Sequence, residues 1–292
     1  MRFRKEAKLD RSQVEDLRGR RVGGTPMALG GGGIVTLIII LAVVLLGGNP
    51  LDTGAGGPLD DLAGQTAGTG APSSTLEHCQ TGQDANEHQD CRLLAVVNSV
   101  QKYWSQAFRG YEPARTRFFE GGVSTGCGQA SSAVGPFYCP ADRFVYIDLG
   151  FFDQLQSQFG ASGGPLAEAY VLAHEYGHHI QNLAGVLRRA QGGATGPQSN
   201  AVRVELQADC YAGVWVKNAV RTGLIEEITR ADIQDALSAA AAVGDDRIQE
   251  QAQGSVNPEA WTHGSAEQRQ SWFARGVETG NPNSCDTLSG RV

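Results

Sequence analysis

The chain has 292 residues, 41% of them hydrophobic, a formal net charge of −7 and six cysteines. Residues 1–26 carry a net +4, which leaves −11 for the rest, and so acidic a main body argues against a nucleic-acid partner. The length fits an anchor segment plus one domain of about 200 residues, enough to bury a core.

In chain order, residues 1–26 read as a basic tail suited to an anionic cytoplasmic membrane surface. Residues 27–48 have no charge and hold a dense apolar run over 34–46, which predicts one transmembrane helix. A cleaved signal peptide is the rival. The long preceding segment and the lack of an A-x-A site favour an uncleaved anchor. Positive charge before it places the N-terminus in the cytoplasm and the remainder outside, as a single-pass membrane protein. Residues 49–77 are rich in Gly, Pro, Ser, Thr, Ala and Asp, too polar to fold, and read as a linker. One extracytoplasmic domain, 78–292, follows and holds every cysteine. Six cysteines allow fifteen disulfide connectivities. Proximity suggests Cys79–Cys91, Cys127–Cys139 and Cys210–Cys285.

Within this domain, residues 86–108 have helical periodicity, carried by Leu94, Val97, Val100, Tyr103, Trp104 and Phe108. Residues 126–148 read as strands, and 143–149 (R-F-V-Y-I-D-L) alternates. Helices are predicted over 166–183, 200–220 and 225–243, the last with Thr229 as N-cap. Residues 185–197 form a Gly-rich connection. Residues 244–264 read as a polar loop, with Asp245 and Asp246 as a solvated pair rather than a calcium site. A final helix over 265–276 opens on S-A-E-Q, close to a capping box.

The chemistry sits in 171–181, V-L-A-H-E-Y-G-H-H-I-Q. On a helix, His174 and His178 share one face and can reach one ion. Glu175 lies one step round, placed to take a proton from a water on that ion. Apolar flanks (Val171, Leu172, Ala173, Ile180) make this a buried helix whose polar stripe needs satisfaction. Glu205, in E-L-Q-A-D, can supply a third ligand. Asp209, one turn on, can accept the free ring N–H of a ligating histidine. The metzincin pattern would need glycine at 181 and histidine at 184, where this chain has Gln181 and Ala184. His179 points about 100° away from His178 and reads as a structural group or a support to a ligand, not as a ligand itself.

H-E-Y-G-H-H-I-Q and E-L-Q-A-D-C-Y-A-G-V-W resemble the bacterial putative neutral zinc metallopeptidase family, membrane-anchored proteins with a gluzincin-type site. The stretch from Cys127 to Phe152 and T-H-G-S-A-E-Q-R near 262–269 carry the same resemblance. It implies Zn2+ on His174, His178 and Glu205, with Glu175 as base. In gluzincin-like enzymes a strand placed like 143–149 flanks the cleft as a sheet edge, where an extended substrate can pair. An ordinary core strand is the alternative. Thermolysin-like peptidases also use a downstream histidine to stabilise the oxyanion. His263 is the remaining candidate, with Tyr211 and Tyr176 as substitutes.

The expected fold is α+β: a mostly helical zincin-like domain with a small antiparallel sheet, preceded by one transmembrane helix. The expected function is a membrane-anchored zinc metallopeptidase acting on a peptide or protein substrate, with catalytic Glu175 and His263. Two alternatives stand beside it: a non-catalytic scaffold with a structural zinc, and a zinc hydrolase of a non-protein amide.

Overall fold

In the computed structural model, which describes residues 1–19, 76–190 and 194–292, the two motif-bearing segments are long helices packed side by side. The elements run β1 (Arg2–Phe3), β2 (Val14–Asp16), α1 (Gly82–Glu87), α2 (Gln89–Ala107) and β3 (Arg115–Phe119). They continue with β4 (Gly122–Thr125), β5 (Gly128–Ser131), β6 (Phe137–Cys139), β7 (Phe144–Asp148), α3 (Phe151–Ser157), α4 (Pro165–Leu183) and α5 (Val186–Arg189). The last are α6 (Asn200–Asn218), β8 (Ile225–Glu227), α7 (Arg230–Ala242), α8 (Asp245–Gln253) and α9 (Ala266–Thr279).

Helix α4 is the axis. Proline at its first turn costs no hydrogen bond. Every residue from Leu166 to Gln181 is buried, as befits a helix enclosed on all sides by α2, α6, α7 and β6. Two close crossings set its surroundings. A Cβ on Gly177 would sit 2.9 Å from Ala208 Cα, so only glycine lets α4 and α6 approach this closely. Helices α6 and α9 meet at Gly213 and Gly276, where an added Cβ would lie 2.1 Å from Phe273 O or Cys210 O. Ser199 caps α6 by accepting from the Val202 N–H. The three disulfides pair as proximity suggested, and Cys210–Cys285 ties the C-terminal segment to α6.

The main sheet differs from the expectation. Its order is β2-β3-β7-β6, with β2/β3 and β3/β7 parallel and only β7/β6 antiparallel. Strand β7, the alternating 143–149 segment, is therefore interior, and β6 forms the border. Alternation reveals a pleated strand but not its place in the order, which depends on partners distant in sequence. The sheet is tied to α4 through Thr116 Oγ1 and Tyr176 OH, 2.9 Å apart, and through Tyr138 OH, 3.0 Å from His179 Nδ1.

The single-pass membrane arrangement is corrected. Residues 27–48 lie outside the described residues, as does most of the expected linker. Among the described residues no helix is long and apolar enough to cross a membrane. Residues 1–19, expected across a membrane from the domain, are part of its fold. β1 pairs antiparallel with β8, and β2 parallel with β3. Two asparagines read the backbone of this segment with paired bonds: Asn86 on Phe3 (2.9 and 3.0 Å) and Asn98 on Asp10 (2.8 and 3.0 Å). Phe3 is buried in the core. Strands that hydrogen-bond lie about 4.8 Å apart, so the two cannot stand on opposite sides of one span.

Two local expectations also change. Residues 225–243 divide into β8 and α7, because β8 finds its partner at the N-terminus; Thr229 does cap α7, in a capping box with Asp232. The polar stretch after residue 244 begins with α8, which few apolar residues announce. It has two aspartates in its first turn, where the helix dipole favours them. The final helix opens with the Ser265–Gln268 capping box.

Candidate metal centre and cavity

Helix α4 presents His174 and His178 one turn apart, and α6 presents Glu205 and Asp209 opposite them. His174 Nε2 lies 3.1 Å from His178 Nε2 and 3.1 Å from Glu205 Oε2. His178 Nε2 lies 3.5 Å from Glu205 Oε1. All three side chains are buried. The ring tautomers decide what this cluster can hold. His174 Nδ1 donates to Asp209 Oδ1 at 2.8 Å. His178 Nδ1 donates to Gln181 Oε1 at 2.8 Å; the Gln181 amide nitrogen is committed to Val204 O and Gln207 Oε1, which makes its oxygen the acceptor. Both Nε2 lone pairs therefore converge with a carboxylate. Three acceptors around one point fit a cation, and two imidazoles with one carboxylate are a zinc-type set. Without a metal, a proton fills that need. Burial disfavours a charged His174, but the Asp209 and Glu205 carboxylates outweigh it and hold its pKa up to about 10. A metal has to displace that proton.

Glu175 stands beside this cluster, buried, with Oε2 lacking any hydrogen-bond partner. A buried polar atom left open in this way points to an absent group. Burial raises its pKa above the usual carboxylate value, against the pull of His174 and His178. Glu205 goes the other way: despite burial, the charges of His178 and His263 hold its pKa well below the ordinary value.

Behind His174 lies a network that extends beyond the sequence reading. Asp209 Oδ1 accepts from Tyr170 OH at 2.5 Å, and Arg269 donates to both Asp209 oxygens at 2.9 and 3.0 Å. Arg269 Nη1 donates to Val243 O at 3.1 Å. Burial raises the Asp209 pKa, but Arg269 and His174 outweigh it, so the carboxylate stays ionised. Tyr170, Gln181 and Arg269 were missed. Tyr170 and Gln181 carried a usable signal, being polar positions four before His174 and three after His178 on an otherwise apolar helix. Arg269, the last residue of T-H-G-S-A-E-Q-R, carried only that resemblance, since its partner lies 60 residues away.

His263 lines the same cavity as His174, Glu175 and Glu205. Asp245, expected to be solvated, is buried and builds this loop. It accepts from the backbone N–H groups of Thr262, His263 and Gly264 at 2.7, 2.7 and 3.0 Å, and its other oxygen lies 3.3 Å from His263 Nδ1. Asp246 accepts from the Ala266 N–H at the start of α9. The substitutes fall elsewhere: Tyr176 faces Thr116 on the sheet, and Tyr211 packs on Trp104. His179 also faces the sheet side, its Nε2–H donating to Glu112 O at 2.7 Å. His78, Cys79, Asp90 and Cys91 form a second cluster, but its sulfurs are joined in a disulfide.

The cavity holds about 120 Å³. His174, Glu175 and Glu205 line it, together with the apolar side chains of Val134, Pro136, Phe151, Phe159, Val243 and Ile248.

The family model described as "Putative neutral zinc metallopeptidase" matches residues 1–288. The chain is 55% identical over 253 residues to the uncharacterized protein Rv2575 of Mycobacterium tuberculosis, covering 84% of this chain and 85% of that one. The uncharacterized protein Mb2605 of Mycobacterium bovis matches to the same extent, 55% over 253 residues and the same 84% and 85%. The uncharacterized protein YpfJ of Escherichia coli K12 is 41% identical over 234 residues, covering 73% of this chain and 80% of its own. No solved structure matches.

Proposed function

The chain belongs to the putative neutral zinc metallopeptidase family, and from that premise we propose that it hydrolyses peptide bonds, with zinc held by His174, His178 and Glu205. The observation that carries this reading is the convergence of three acceptors beside a buried carboxylate whose Oε2 has no partner. A bound zinc supplies an acidified water and polarisation of the substrate carbonyl. Glu175 takes the proton of that water and passes it to the leaving amine. Asp209 holds the His174 tautomer, and Arg269 with Tyr170 holds Asp209. His263, fixed by Asp245, donates to the oxygen that gains charge. A structural zinc would normally be closed by four protein ligands. Among the described residues this cluster offers three, facing a cavity. The three disulfides support maturation in an oxidising compartment.

The test separates metal from chemistry in the full chain. Glu175→Gln should keep stoichiometric zinc by elemental analysis and lose activity by about 100- to 10,000-fold or more. His174→Ala and Glu205→Ala should lose the metal as well. Wild-type turnover in Glu175→Gln would overturn the mechanism.

A further inference from the structure

Half of the residues lining the cavity beside the metal cluster are apolar, and this apolar half has no part in metal binding or proton transfer. Val134, Phe151, Phe159 and Val243 are each only partly buried, so their rings and methyl groups remain partly in water. Apolar side chains gathered in a concave site beside reactive groups are the usual lining of a ligand pocket. The volume of about 120 Å³ sets the size of the guest. That volume includes the metal side and is below the roughly 150 Å³ of an apolar cavity that admits benzene, so the apolar part suits an aliphatic side chain of leucine or methionine size.

Charge narrows the guest further. The lining includes two basic side chains, Arg269 and His263. Arg269 is committed to Asp209, Val243 O and Tyr170, and His263 Nδ1 to Asp245. Arg269 is therefore no free counter-ion for an acidic side chain or for the terminal carboxylate of a short peptide, and the ring nitrogen left to His263 is the one the proposed mechanism assigns to the oxyanion. The lining carboxylates, Glu175 and Glu205, belong to the metal cluster, which leaves the apolar half without a partner for lysine or arginine. A charged side chain there would be desolvated without compensation.

We propose that this half of the cavity is a side-chain pocket that selects substrates with a bulky, uncharged apolar residue beside the cleaved bond, and that the bonds taken are internal ones. This rests on the peptidase reading and adds the substrate class to it.

The experiment uses the zinc-loaded full chain and peptides blocked at both ends. They carry leucine, phenylalanine, alanine, aspartate or lysine on either side of the scissile bond. Leucine on one side should raise kcat/KM about 10- to 100-fold over alanine, from the added apolar burial, with phenylalanine gaining less because it exceeds the cavity. Aspartate and lysine should fall below alanine, and a free C-terminal carboxylate next to the bond should not help. Val243→Phe, which narrows the pocket from a partly buried position, should shift the preference from leucine towards alanine. Independently of turnover, NMR titration should show N-acetyl-leucinamide binding to wild type more tightly than N-acetyl-glycinamide, with the advantage lost in Val243→Phe. Cleavage without side-chain preference, or with preference for charged residues or free termini, overturns the pocket and leaves the peptidase reading standing. Selective binding of the leucinamide with no cleavage of any peptide keeps the pocket and overturns the peptidase reading. Neither cleavage nor selective binding overturns both.

Discussion

The helix pair α4/α6 and the N-terminal segment 1–19 are encoded in opposite ways. In the helix pair each functional group is placed by spacing within its own helix, so His174, His178, Glu205 and Asp209 could be read four residues apart. In the N-terminal segment nothing local announces structure. Its strands are two and three residues long, and their partners are 222 and 102 residues or more away in the chain. A basic tail and a docked strand pair look alike until the partners are known. The practical consequence is that residues 78–292 alone are not the complete folding unit, because α2, β3 and β8 would each lose a partner.

Mutations in each region separate the two modes of encoding. Phe3→Ala should cost about 3–5 kcal/mol of stability, since it empties a buried aromatic site on which β1 is anchored. Denaturant titration checks this, and a change below 0.5 kcal/mol, the scatter of an ordinary surface substitution, would return 1–19 to the status of a tail. On the other side, His263→Ala should lower kcat by about 100- to 1,000-fold with zinc content and melting temperature unchanged. A loss under about threefold would remove His263 from the oxyanion role, far short of what a lost donor costs.

The face of α4 turned away from the metal cluster carries His179. Burial lowers the His179 pKa from 6.5 to about 4. Between those values the unfolded chain binds a proton that the folded chain does not, so stability rises with pH across that window and is lost as pH falls through it. The depressed value corresponds to about 3 kcal/mol. Melting curves from pH 4 to 6.5 for wild type and His179→Gln should diverge accordingly, the variant showing the flatter dependence. Parallel curves would mean that His179 does not titrate in this way. The smallest expected effect is Asp209→Asn, which should weaken zinc binding by about 10- to 100-fold as the His174 tautomer loses its anchor. Competition with a chromophoric chelator measures it. Unchanged affinity would limit Asp209 to its ion pair with Arg269.

The sequence by itself determined the local geometry of the site. A helix turns 100° per residue whatever surrounds it, so two histidines four apart must share a face, and apolar flanks must bury that face. The same logic made the α9 cap legible, and proximity pointed to the three disulfide pairs. Tertiary structure alone decided which distant groups meet. Gly177 and the Gly213–Gly276 crossing bring α6 against α4 and α9 against α6, which is how Arg269 reaches Asp209. Asp245, polar and apparently superfluous in the sequence, gathers three backbone N–H groups and thereby sets His263 over the cavity. Sheet order and the docking of residues 1–19 belong to the same class. A strand's pattern records which face is buried, whereas its partner is chosen by backbone hydrogen bonds that are the same for every residue.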